Sequence, residues 1–342
     1  MKPTARNTKF FLFTCTVASC FLMVLALKSP EVAFSEDTPI SQVLVALGES
    51  LPKHARPKAT AKQIQQGKDL IFTGRTIGPN GKKSKYISQF YTCTSCHSPV
   101  KEDPSVASFD PQARLDHAEE NGLKFLQGST FYGIANRESW YNDDYEKKYG
   151  DLVKPARNSL AESTQLCAKV CSSGRYLEEW ELEGILAYFW NNQLKIKDLE
   201  LSEKETYRVI NSKDKSESIA LLKKKYAVKS PATFGSSPKR QDLGFEGIQG
   251  NPENGKKIYE LSCMSCHQDR GVSGVAFTNS KVDFQKFRRS IGKKTDYNLY
   301  DIIRKGTYAG QGKPRYMPLY PKERMSDQQL EDLRAYIEVE SN

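Results

Sequence analysis

The sequence predicts an all-α chain that contains two similar helical domains in tandem. Three observations support this prediction: an amphipathic helical segment ends each half, each half carries the same cysteine motif, and apolar and polar residues do not alternate convincingly with a period of two. A length of 342 residues allows two domains of ordinary size. The predicted boundaries are 1–35 for a leader, 60–200 for the first domain, 201–244 for a connector and 245–342 for the second domain.

The leader is predicted to be an export segment. A basic head precedes an uninterrupted apolar run from Phe10 to Leu27, and Pro30 follows. The run is long for a signal peptide and reaches the roughly 17–25 residues that span a bilayer. We therefore expect either a cleaved signal peptide or an N-terminal anchor, which would be the only membrane contact. The expected location is the periplasm or the outer face of the cytoplasmic membrane.

The two halves share a pattern that indicates an internal duplication. "EWELEGILAYFW" (179–190) and "DQQLEDLRAYIE" (327–338) are identical at four positions and similar at a fifth, Ile185 and Leu333, all with one offset of 148 residues. Ser326 and Gln329 form a capping box at the start of the second segment. Both segments are predicted to be terminal helices of their domains.

A connector is predicted between the halves. It begins with a charged stretch that permits helix (201–226) and continues with a segment rich in Ser, Pro and Gly (228–250). The second segment has the composition of a linker.

Each half carries C-x-x-C-H, in "YTCTSCHS" and in "LSCMSCHQ", and this is the attachment sequence of c-type haem. Cysteines three apart on one helical turn face the same side, where their sulfurs can form thioethers with the two haem vinyl groups. The next residue, histidine, then lies under the iron as its proximal ligand. The motifs predict two covalently bound haem c groups. Their residues are Cys93, Cys96 and His97 in the first half and Cys263, Cys266 and His267 in the second.

Zinc or dithiol chemistry is the alternative to haem attachment. Zinc needs further ligands, which His54, His117 and one remaining cysteine pair can hardly supply. His54 is expected to be solvated, and His117 is expected at an exposed helix start.

The second half resembles class I cytochrome c throughout residues 245–342. Its "GKPRYMPLYP" is similar to the methionine loop of that family, so the resemblance implies that Met317 is the distal ligand of the second iron. A methionine that fills a gap in the core is the alternative, although Met325, the other candidate, already lies at a helix start. Tyr316 and Tyr320 are expected to pack around the haem edge.

The first half has no methionine for the same role, because none occurs between Met23 and Met264. The repeat offset, applied to the methionine of the second half, points at Lys169. This lysine lies between Cys167 and Cys171, so the cysteines occupy the position where a distal ligand is expected.

Residues 60–200 resemble the first domain of the thiosulfate dehydrogenase and sulfur-oxidation cytochrome families. Cys167 is followed by six residues, Gly174 and a helix that contains Ala-Tyr, as in those families, and Cys171 stands where they usually have serine. The resemblance implies that Cys167 ligates the first iron and belongs to a catalytic centre. A Cys167–Cys171 disulfide is the main alternative, and His117, Lys169 or an open iron are further ones.

Thiolate ligation lowers a reduction potential and thioether ligation raises it. Electrons are therefore expected to pass from the first haem to the second. The predicted function is electron transfer by a dihaem c-type cytochrome, and an oxidoreductase of thiosulfate or related sulfur anions is the sharper hypothesis. A non-catalytic carrier between respiratory complexes is the alternative.

The net charge of +10 is moderate and spread along the chain. Nucleic acid is not expected as a partner of an exported protein. An electron-transfer protein or a small inorganic sulfur anion fits better. The basic residues considered for an anion site are Arg137, Lys154, Arg157 and Arg175.

Overall fold

A computed structural model of the chain describes residues 34–212, 214–293, 298–307 and 316–342, so the predicted leader lies outside the described residues. Residues from Phe34 to the C-terminus form one compact unit. The predicted all-α class is confirmed, since the regular elements of the described residues are helices and no sheet occurs among them. No helix in these ranges is both long and apolar enough to cross a membrane.

The helices of the N-terminal part are α1 (Ile40–Ala46), α2 (Ala61–Thr73), α3 (Pro111–Glu120), α4 (Asp143–Tyr149), α5 (Val153–Ala156), α6 (Leu160–Leu166) and α7 (Glu179–Asn191). The predicted connector contains α8 (Glu203–Asn211) and α9 (Lys215–Lys223). The C-terminal part contains α10 (Pro252–Ile258), α11 (Met264–His267), α12 (Lys281–Ser290), α13 (Leu299–Lys305) and α14 (Asp327–Glu340). The two predicted terminal helices are confirmed as α7 and α14, and α14 starts with the predicted capping box of Ser326 and Gln329.

In each half the first long helix crosses the last one at a glycine. A Cβ atom on Gly67 of α2 would lie 1.9 Å from the carbonyl oxygen of Gly184 in α7. A Cβ atom on Gly255 of α10 would lie 2.0 Å from the carbonyl oxygen of Asp332 in α14. Gly184 and Asp332 are 148 residues apart, which is the offset of the sequence repeat. The two halves therefore use the same close backbone contact at corresponding positions.

One segment of the predicted first domain packs into the core of the second half. Leu115 of α3 and Phe125 are fully buried in the apolar cluster formed by α10, α13 and α14. The Phe125 amide donates to the Leu261 carbonyl at 2.9 Å. The two halves are consequently joined by a shared core as well as by the connector.

Helix α1 and the connector helices form a smaller core beside the first half. It contains Ile40 and Val43 of α1 with Val209 of α8 and Leu222 of α9. The charged stretch of the connector, which the sequence predicts to permit helix, thus packs against α1. From Val228 to Gly250 the chain has no regular helix.

Candidate functional site

The first C-x-x-C-H motif lies at the wall of a large cavity. Cys93 to Ser95 form a 3-10 turn, and the side chains of Cys93, Cys96 and His97 all face the cavity. Its empty volume, counted to its open mouth, is about 1400 Å³. Its walls are mainly apolar, with Leu70, Ile87, Phe131, Ile134, Leu160, Ile185 and Phe189 among them.

His97 is held in one orientation on this wall. Its Nδ1 lies 2.6 Å from the Ser129 carbonyl oxygen, to which it donates, and its ring stacks on Phe131 at a centroid distance of 4.7 Å. Burial lowers the pKa of His97, which favours the neutral imidazole. Donation from Nδ1 leaves Nε2 with the lone pair that a metal ligand needs. Gly128 is required beside it, because a Cβ there would lie 2.6 Å from the imidazole ring.

The second motif repeats this geometry. His267, at the end of α11, donates from Nδ1 to the Val275 carbonyl oxygen at 2.8 Å and stacks on Phe277 at 4.1 Å. Burial also lowers the pKa of His267. Cys263 and Met317 both pack against the core of the second half. The backbone of Met317 is fixed by Thr307, whose Oγ1 accepts from the Met317 amide at 2.7 Å and whose amide donates to the Met317 carbonyl at 2.8 Å.

The predicted cysteine pair lies on the wall of the first cavity. Helix α6 continues into a π-helical turn, Cys167–Cys171, and both thiols line the cavity. Single π-helical turns inside α-helices are frequent at functional sites. His117 and Lys169, the other ligand candidates, are not among the residues that line it. His117 lies in the last turn of α3, not at a helix start.

The two thiols of this pair interact with each other and are not bonded covalently. All six cysteines of the described residues are free thiols. A hydrogen bond from Cys167, with others from Tyr141 and Tyr149, lowers the pKa of Cys171 to about 7. The same contact and burial raise the pKa of Cys167. The pair can therefore lose a first proton more readily than a second, because the remaining proton forms the hydrogen bond between the two sulfurs.

A tyrosine wall, which we define as Tyr141, Tyr145 and Tyr149, covers the cysteine pair. The three rings are in contact, with centroid distances of 4.9 Å for Tyr141 and Tyr145 and 6.3 Å for Tyr145 and Tyr149. The Tyr141 hydroxyl lies 3.9 Å from Cys171 Sγ. Sequence reasoning missed this wall, although the spacing of four residues along "WYNDDYEKKYG" is a helical period that could have indicated it.

Tyr316 also lines the first cavity, although it belongs to the second half. The expectation that it packs at the edge of the second haem is therefore incomplete, since its ring faces the first site. Tyr320 is buried in the core of the second half and contacts Ser262 through its hydroxyl.

Of the basic residues considered for anion binding, one lines the cavity. Arg137 is buried at its wall and donates to Ser129 Oγ at 3.1 Å, next to His97. The other three form ion pairs away from it. They are Lys154 with Asp151, Arg157 with Asp143 and Glu146, and Arg175 with Glu181.

The expectation that His54 is solvated is wrong. His54 is 8% exposed, and its Nε2 lies 2.8 Å from the Ala135 carbonyl oxygen. Its ring contacts Trp140 edge to face at 5.3 Å. Packing of the N-terminal segment over the first core buries this side chain, which polar sequence neighbours did not indicate.

The fold and these sites define a helical protein with a cysteine and histidine motif in each half of the chain. Residues 252–339 match the family model described as cytochrome c. These residues form a cytochrome c domain, and the chain is therefore a c-type cytochrome with at least one covalent haem c. No curated protein matches the chain in sequence.

Proposed function

We propose that the chain is an exported electron-transfer protein that binds one haem c in each half. The observation that supports this most is the cavity of the first half, which has Cys93, Cys96 and His97 on its wall together with Cys167. The first half lies outside the matched cytochrome c domain, yet its histidine has the same two contacts as His267.

The residues of the first cavity fit a haem c. The two thiols of the attachment motif are half-buried at the cavity wall, and desolvation raises the pKa of Cys93 to about 11. Arg137 offers a buried guanidinium for a propionate, a pairing that arginine favours. A bound haem c supplies one-electron redox chemistry at its iron.

The distal residues would make the two centres unequal. Cys167 is the proposed ligand in the first half and Met317 in the second. A thiolate lowers the potential and a thioether raises it. Electrons that enter at the first half would then leave through the second.

A second candidate function is the oxidation of a sulfur anion such as thiosulfate at the first centre. The cysteine pair beside Lys148 favours it, since this partly buried ammonium is close enough to Cys171 for their charges to interact. The tyrosine wall and the ion pairs of Lys154, Arg157 and Arg175 leave few charged groups for an anion. Electron transfer without catalysis is thus better supported.

The test is the haem content of the purified chain from a host that attaches haem c. We expect two groups per chain, and one group after replacement of Cys93 and Cys96 by alanine. A single group in the wild-type chain would refute the proposal. Reduction of the protein by thiosulfate, followed in its visible spectrum, separates the candidates, since the carrier function predicts no reduction.

A further inference from the structure

The segment that carries Met317 also forms part of the wall of the first cavity. Tyr316, Pro318 and Leu319 line that cavity, whereas the Met317 side chain packs against the core of the second half. Neighbouring residues of one short segment therefore face two different candidate haem sites.

Tyr316 is bonded at both its backbone and its side chain to the first half. The Tyr91 hydroxyl accepts a hydrogen bond from the Tyr316 amide at 2.9 Å and donates to the Tyr316 carbonyl at 3.1 Å. The two rings meet edge to face at a centroid distance of 6.1 Å. Tyr91 lies two residues before Cys93, so these bonds connect Tyr316 to the first attachment motif.

The phenol of Tyr316 reaches the opposite wall of the same cavity. Its hydroxyl donates a hydrogen bond to the carbonyl oxygen of Cys171, the last residue of the π-helical turn that starts at Cys167. One tyrosine thus connects the attachment motif, the cysteine turn and the backbone of Met317.

We propose that Tyr316 is a positioning residue that couples iron ligation in the two halves. The inference rests on the proposed function, because it requires a haem in each half. Because Tyr316 is joined to Met317 by one peptide bond, a displacement of Met317 also moves Tyr316. The Tyr316 hydroxyl then pulls on the Cys171 carbonyl and changes the position of Cys167 in the same turn. Thr307 bonds the Met317 backbone at its amide and its carbonyl, so Thr307, Met317 and Tyr316 are expected to move together as one unit. Coupling of this kind acts equally in both directions.

The test is a double-mutant cycle with Met317→Ala and Tyr316→Phe in the haem-loaded chain. The readouts are the electron paramagnetic resonance spectrum and the midpoint potential of the first haem. We expect Met317→Ala alone to change the apparent equilibrium constant for reduction of the first haem by about fivefold or more, the lower end of typical coupling. In a chain that already carries Tyr316→Phe, Met317→Ala should change this equilibrium constant by less than half as much.

Tyr320→Phe is the matched control. Tyr320 is in the same segment and is buried, but its hydroxyl contacts Ser262 and the Phe125 carbonyl in the core of the second half. It does not line the first cavity. Tyr320→Phe should leave the effect of Met317→Ala on the first haem unchanged. Equal effects of Met317→Ala with and without the Tyr316 hydroxyl would overturn the inference.

Two further measurements keep the outcomes apart. If Tyr316→Phe does not fold, Tyr91→Phe removes the two bonds at the other end of the connection and should reduce the coupling in the same cycle. A wild-type chain with one haem contradicts the proposed function. A chain with two haems and additive substitutions contradicts only the coupling by Tyr316.

Discussion

At the distal wall of the first cavity, Cys167 and Cys171 have different surroundings. Cys171 accepts hydrogen bonds from Cys167, Tyr141 and Tyr149, which lower its pKa to about 7. Cys167 donates to Cys171 and therefore keeps its proton longer. A cysteine binds a metal as its thiolate, so these pKa directions favour Cys171 over Cys167 as the sulfur that is ready to bind. Ligation by Cys167 rests on its spacing in the sequence and would require that the iron displace its proton.

We expect Cys167→Ala and Cys171→Ala to have distinct effects on the first haem. Without Cys167 the midpoint potential should rise by a few tenths of a volt, within the range of about 0.8 V that axial ligands span, and the low-spin thiolate signal should disappear. Cys171→Ala should keep that signal. An unchanged spectrum in Cys167→Ala, or loss of the signal in Cys171→Ala alone, would contradict ligation by Cys167.

Residue by residue, the sequence indicates the cysteine and histidine motifs but not the side chains that surround them. Cys167 could be proposed from the missing methionine and the repeat offset. The contact of Tyr316 with Cys171 joins residues 145 positions apart in the chain. Such a contact depends on how the two halves pack, and no local pattern encodes it.

Among the elements, the crossing of α2 with α7 and that of α10 with α14 set the position of the attachment motifs. The backbones approach closely because Gly67 and Gly255 have no Cβ atom. Each motif follows the first helix of its pair in the chain. The capping box at α14 and both terminal helices were predictable because caps and helical period are local signals.

We expect Gly67→Ala to destabilise the chain despite the better helix propensity of alanine. Propensity alone favours alanine by about 1 kcal/mol, but its Cβ would lie 1.9 Å from the Gly184 carbonyl oxygen, and overpacking costs about 1–3 kcal/mol. Chemical denaturation of the haem-loaded chain measures the difference. Gly255→Ala should behave in the same way, because its crossing is equivalent.

Lys62→Ala is a control for this experiment, since Lys62 is exposed on the same helix. It should change the free energy of unfolding by no more than about 0.5 kcal/mol. A Gly67→Ala chain as stable as this control would mean that the helices separate without cost.

For the whole molecule, the two halves are joined by buried charges. Glu102 pairs with Arg324 of the cytochrome c domain at 2.7 Å and with Arg114 of α3 at 3.9 Å. All three are at most 4% exposed. Burial and the neighbouring Arg324 lower the pKa of Arg114 to about 9. One carboxylate therefore compensates two guanidinium groups at the junction, with Asp103 close by.

The way in which the two halves pack at this junction could not be predicted from the sequence. The repeat predicts two similar halves, and their matched helix crossings agree with it. The stretch around α3 has no counterpart in the repeat and carries its apolar residues, Leu115 and Phe125, into the other half. A charged helix of this kind is typical of an exposed surface, so its burial against Arg324 could not be predicted from composition.

We expect Glu102→Gln to be among the most destabilising polar substitutions in the chain. Glutamine has the same shape and can still accept the Thr130 amide bond, which is 2.7 Å long. It leaves Arg114 buried without its paired carboxylate and leaves Arg324 with Asp103 alone, at 3.9 Å. Breaking a buried pair in this way costs about 3–5 kcal/mol. Chemical denaturation, with the visible spectrum as evidence that haem stays attached, measures this loss.

The exposed pair of Lys154 and Asp151 provides the matched control for that substitution. Asp151→Asn should leave the denaturation midpoint unchanged, because solvent screens the pair. A second comparison isolates the role of the junction: replacing Arg324 by methionine together with Glu102→Gln should cost less than the sum of the single changes, since the double variant removes one buried charge with its partner. If Glu102→Gln is no more harmful than Asp151→Asn, the halves are not held together by these charges, and the shared core of Leu115 and Phe125 must carry the junction alone.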